Sequence, residues 1–153
     1  FVPNVSTVIA GNRVSFPNSD DILHHVYSFS PINTFNIPLY GSDEQAEFVQ
    51  EFAVSGVVEI GCNIHDWMLA YIYVSETSLT SISSSEGAAS LSDLPAGSYR
   101  LRLWHPRLAE ENNSRIIDVE LSAKTDTRLE IVVELARDRR IRRAPSSAKK
   151  RYR

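Results

Sequence analysis

Short runs rich in β-branched and aromatic residues recur along the first half of the chain, at residues 5–9, 14–16, 26–29, 35–39, 47–52, 57–60 and 71–74. Clusters of Gly, Pro, Asn, Asp and Ser separate them, so each run reads as a strand closed by a turn. Seven strands this short in some 75 residues predict two sheets packed face to face rather than one open sheet.

From residue 77 the texture changes to Thr77-Ser78-Leu79-Thr80-Ser81-Ile82-Ser83-Ser84-Ser85, and a domain boundary is expected there. Beyond it, strict alternation in Tyr99-Arg100-Leu101-Arg102-Leu103-Trp104 predicts a half-buried strand. Further strands are expected at residues 116–121 and 129–135. The expected organisation is therefore a main β domain over residues 1–76, a smaller β module over 77–136, and a tail over 137–153. About sixty residues bury too little surface for the second module to be a fully independent domain.

Composition narrows the class. With 153 residues, 42% of them hydrophobic, the chain can bury a true core. No apolar run approaches the eighteen residues needed to span a bilayer as a helix. The first residue is Phe1, with no basic-then-apolar leader after it, so the chain reads as a processed product or a fragment. The formal net charge of −3 hides a strong polarity. Residues 137–153 hold nine of the sixteen Lys and Arg and one of the nineteen Asp and Glu, about +8, which leaves seven against eighteen, about −11, on the remainder. Such a tail reads as a solvated, disordered arm suited to an acidic surface; no nucleic-acid partner is expected. The single cysteine excludes an internal disulfide.

That cysteine stands six residues from the single methionine with a histidine midway, in Gly61-Cys62-Asn63-Ile64-His65-Asp66-Trp67-Met68. A thiolate, an imidazole and a thioether on one short loop are three of the four donors of a mononuclear electron-transfer copper site. Soft sulfur suits Cu(I) and imidazole suits both oxidation states, so a trigonal Cys and two His with a weak axial Met changes little on gaining or losing an electron. The second imidazole has to come from Leu23-His24-His25-Val26. On a strand these two rings point to opposite faces, so only one of them enters the site.

Cys62-x-x-His65-x-x-Met68 has the ligand-loop spacing of amicyanin-type members of the cupredoxin (blue copper) family. The upstream stretch Phe1-Val2-Pro3, Gly11-Asn12, Val14-Ser15-Phe16, Asn18 and His24-His25-Val26-Tyr27-Ser28-Phe29 resembles the corresponding part of plastocyanins and amicyanins. The resemblance covers residues 1 to about 75. It implies a Greek-key β-sandwich, one type 1 copper ion held by His24, Cys62, His65 and axial Met68, redox proteins as electron donor and acceptor, and a periplasmic or otherwise exported location. It also implies a strand before Phe1 that this chain lacks, which would leave a sheet edge to be covered. The chain departs from the pattern at His25, where the family carries Asn, and at Ile64, where amicyanin-type loops carry Pro. In the second half, Leu94-Pro95-Ala96-Gly97-Ser98-Tyr99 is similar to the turn of carboxypeptidase regulatory-like, or transthyretin-like, β-sandwich modules.

Around the four ligands, His25, Asn18 and Asn63 are expected next to the ligand groups, where polar contacts tune a copper potential. Ile64, Trp67 and Leu69 are expected to form an apolar rim for a docking partner beside His65. His105 has no ligand companions nearby in sequence and is expected to be structural. A site ligated fully by protein leaves no position for substrate, so an electron carrier rather than an enzyme is expected. Two other classes compete: a copper-handling chaperone or sensor using the same ligands, and a structural or carbohydrate-binding β module with no metal. A thiol hydrolase fits poorly because no third residue is placed to orient His65. Structural zinc fits poorly because such sites are built from Cys and His rather than a thioether.

Overall fold

The computed structural model describes residues 1–43 and 48–138. The chain divides into two compact units, one taking in Phe1–Ser90 and the other beginning at Leu91. The division falls further along than the change of texture at residue 77, because the Ser- and Thr-rich stretch stays with the first unit. The basic run from residue 139 onward lies outside the described residues.

The first unit contains all seven expected strands: β1 (Val5–Ile9), β2 (Asn12–Ser15), β3 (His24–Ser30), β4 (Asn33–Tyr40), β5 (Val49–Phe52), β6 (Gly56–Gly61) and β7 (Leu69–Ser75). They form a five-stranded sheet in the order β1-β7-β6-β3-β4 and a two-stranded sheet β2-β5. Only β1 and β7 run parallel; the other pairs are antiparallel. This is an all-β sandwich of two sheets.

Alternation decides which side chains fill it. On β7, Ala70, Ile72 and Val74 are buried; on β6, Val58 and Ile60; on β3, His24, Val26 and Ser28. Phe16, Ile37, Tyr40 and Phe52 complete the core. The inward rows on β6 and β7 are therefore even-numbered, and two residues beyond their ends come Cys62 and Met68. Cys62 N–H donates to the Met68 carbonyl at 3.3 Å, carrying the β6–β7 ladder one step past the Gly61–Leu69 pair. His24 opens the inward row of β3 at the same end of the sheet.

Opposite His24, β4 carries an irregularity: His24 pairs with Tyr40 and Val26 with Ile37, so three steps on β4 face two on β3. Pro38 sits in that extra stretch, where its missing N–H costs no ladder bond.

Among the described residues, the second unit holds one two-stranded antiparallel sheet, β8 (Gly97–Trp104) with β9 (Ser114–Leu121), in register from Gly97–Leu121 to Trp104–Ser114. Gly97 enters β8 at φ 152°, a conformation that favours glycine, and Tyr99 Oη closes the turn by donating to the Pro95 carbonyl at 2.9 Å. The strand expected at residues 129–135 is absent apart from one bridge, Leu108–Leu135. Residues 134–136 pair instead with the 105–109 turn. That turn folds back on itself through Leu108 N–H to His105 O at 2.9 Å, so the ladder ends after Ala109 N–H to Glu134 O and Ala136 N–H to Arg107 O. His105 Nδ1 accepts from Arg107 N–H at 3.1 Å within the same turn.

Candidate metal centre

Three strand ends and one loop build the site. His24 is the first residue of β3 and is buried. Cys62 follows β6, is buried, and is the single free cysteine. His65 lies midway along the β6–β7 loop and is partly exposed. The loop is pinned by the Cys62 N–H to Met68 O bond and by Met68 N–H to His65 O at 2.9 Å, which together turn the seven residues Cys62–Met68 back on themselves.

The structure brings His24, Cys62 and His65 together with one donor atom of each within 4.8 Å of the others. His65 Nδ1 is 3.5 Å from Cys62 Sγ and His24 Nδ1 is 3.9 Å from it. The two imidazole rings stand 5.0 Å apart, tilted by 53°. An ion bound in a trigonal plane, with bonds of about 2.0 Å to nitrogen and about 2.3 Å to sulfur, would hold N and S about 3.7 Å apart. The donors are therefore spaced for a single ion. A cysteine sulfur and two imidazoles suit a soft or borderline transition-metal ion rather than a hard cation. Met68 takes its place in the chain one ladder step from Cys62.

The loop before β3 is organised by Asn18, which is 3% exposed. Its Nδ2 donates to Ile22 O at 2.9 Å and Tyr40 O at 3.0 Å, and its Oδ1 accepts from Asp20 N–H at 2.9 Å. Tyr40 Oη in turn donates to Phe16 O at 2.8 Å. Burial pushes the Tyr40 phenol above its ordinary pKa, and the nearby negative Cys62 adds to the shift. His25 faces away from the core row, partly exposed, with its ring 5.6 Å from that of Tyr27 and a buried Nδ1 that has no hydrogen-bond partner. Asn63 is exposed.

Ile64 and Trp67 are exposed, and the Trp67 ring lies 5.2 Å from the His65 ring, tilted by 57°. Leu69 is partly buried as the first residue of β7. One residue at the site does not stand out in the sequence: Asp20, whose Oδ2 lies 2.6 Å from His24 Nε2. Asp20 and Asp21 are adjacent acids in a loop, and only the turn made by Asn18 distinguishes them.

No family model matches the chain, and no curated protein matches it. Several solved structures are similar to its first half. A purple cupredoxin from Nitrosopumilus maritimus is 26% identical over 48% of this chain and 79% of its own, with a TM-score of 0.43. A reduced variant of amicyanin is 17% identical over 47% of this chain and 70% of its own, with a TM-score of 0.42. A copper-containing nitrite reductase from Thermus scotoductus SA-01 is 24% identical over 50% of this chain and 20% of its own, with a TM-score of 0.44. No helix among the described residues is long and apolar enough to cross a membrane.

Proposed function

We propose that the protein is a one-electron carrier with a type 1 copper site, in which His24, Cys62, His65 and Met68 would hold the ion. The observation that carries this reading is the meeting of two imidazoles and the single thiol at single-ion spacing, on elements far apart in sequence. When bound, copper supplies the one-electron Cu(I)/Cu(II) exchange. The chain supplies the rest. His24 and Cys62 are buried in a rigid sheet end, which limits rearrangement between oxidation states, and the pinned loop holds His65 against them. His65 is the partly exposed member of the three, flanked by Trp67 and Ile64, so its ring edge is where electrons enter and leave through a docked redox protein. With four protein ligands the site has no place for substrate, in keeping with a carrier rather than an enzyme. An exported, periplasm-like setting suits this role.

Visible absorption after addition of Cu(II) tests the reading, with Cys62→Ser as control. An intense band near ~600 nm that the variant lacks and a mild reductant reversibly bleaches is the expected result for thiolate-bound trigonal copper. A folded protein giving no such band removes the electron-transfer reading.

A further inference from the structure

Asp20 is the one charged group bonded to a ligand side chain among the described residues. Its Oδ2 meets His24 Nε2 at 2.6 Å, the nitrogen opposite the one that faces Cys62. We infer that Asp20 is a positioning residue that fixes His24 with its proton on Nε2 and its Nδ1 lone pair toward the thiol, and thereby biases the site toward the oxidised ion. This inference rests on the copper reading above.

A carboxylate offers only acceptors, so a neutral His24 must place its proton on Nε2 to make this bond. The tautomer that leaves Nδ1 free for a metal is then selected before any metal arrives. The carboxylate also makes the imidazole a stronger donor, an arrangement that recurs behind metal-bound histidines. Added negative charge stabilises the higher-charged ion more, so it lowers the reduction potential. The side chain of Asp20 is 65% exposed while that of His24 is 9% exposed. A pair this open to solvent contributes little to folding, so a purely structural role predicts almost no effect of neutralising it. Its backbone is held separately, by Asp20 N–H on Asn18 Oδ1 and by the Asn18 bond to Ile22 O. Asp20→Asn therefore leaves the loop in place, removes the charge and adds a donor.

The test compares wild type, Asp20→Asn and Asp20→Glu by two measurements: nitrogen NMR of His24 in the metal-free protein, and the reduction potential of the copper-loaded protein. Metal-free wild type is expected to show a single Nε2–H tautomer and Asp20→Asn a mixture, because an amide can donate as well as accept. Asp20→Asn is expected to shift the ratio of Cu(II) to Cu(I) affinity about tenfold toward Cu(I), which is 59 mV upward for one electron. Asp20→Glu, which keeps the charge, is expected to recover most of that shift. A tautomer ratio that does not respond to Asp20→Asn, or a potential that does not move, overturns the inference. If wild type takes up no copper, the electron-carrier reading fails, and the metal-free tautomer comparison alone then decides whether Asp20 positions His24.

Discussion

His24 and His25 are consecutive on β3 and face opposite ways. His24 is buried with Nδ1 3.9 Å from Cys62 Sγ, in the row that continues through Val26 and Ser28. His25 lies in the other row, its ring against Tyr27, whose own ring lies 4.9 Å from that of Phe29. One step of strand alternation thus decides which histidine belongs to the site.

The two histidines should therefore separate cleanly on substitution. His24→Ala is expected to abolish the thiolate–copper absorption and the rise in melting temperature on adding Cu(II), since only a species that binds the folded state stabilises it. His25→Leu is expected to keep both. It also removes a buried ring nitrogen that has no partner, so its metal-free stability should hold or rise by about 1 kcal/mol. Thermal melts with and without copper check both variants.

The strands are legible in the sequence because each is a short run of β-branched and aromatic residues with clear turn residues between. All seven of the first unit lie within a few residues of where those runs fall. Cys62, His65 and Met68 are legible for a different reason: a thiol, an imidazole and a thioether gathered on one short loop suit a soft metal ion and little else. Asp20 is not legible, because what selects it over Asp21 is a turn closed by Asn18, and a loop conformation leaves no periodic trace. Asn18 itself is expected near the ligands; the bonds that define it run to Ile22, Tyr40 and Asp20. Residues 129–135 alternate as well as β9 does, yet form one bridge, because alternation reports a face to bury and not a partner to pair with.

Asn18 should be costly to replace. Asn18→Ala removes the bonds to the Ile22 and Tyr40 carbonyls and the Asp20 N–H, of which only the one to Tyr40 is fully buried; with about 1–3 kcal/mol for the buried carbonyl left unpaired and about 0.5–1.5 kcal/mol for each of the other two bonds, a loss of about 2–6 kcal/mol is expected. Asn18→Asp keeps the acceptor for Asp20 N–H but has no donor for the two carbonyls. It should recover only a minor part of the loss. Denaturant unfolding of the metal-free proteins measures both.

Gly61 leaves room for Tyr27. A Cβ at Gly61 would sit 2.9 Å from Tyr27 Oη and 3.0 Å from its Cζ, at the point where β3 and β6 pair. Gly61→Ala is expected to destabilise by about 1–3 kcal/mol through overpacking. In a Tyr27→Ala background the same change should cost much less, and the double-mutant cycle gives the coupling directly. Equal costs in both backgrounds would mean that the clash is relieved elsewhere.

Tyr40 ties the alkaline stability of the fold to the neighbourhood of Cys62. Its phenol is held above the ordinary value of 10.0, first by burial and then by the negative charge of Cys62. With the folded pKa raised, the unfolded chain loses this proton at lower pH than the native state does. The corresponding stability is fully present below about pH 10, and it is lost as pH rises from there through the folded pKa. Tyr40→Phe cannot ionise, so its stability should fall less steeply than that of wild type over this range. At neutral pH the variant should be weaker by about 1 kcal/mol, because Phe16 O loses the hydrogen bond it accepts from Tyr40 Oη. Chemical denaturation at a series of pH values from about 7 to about 11 checks both, and parallel alkaline slopes for the two proteins would show that Tyr40 does not control this loss.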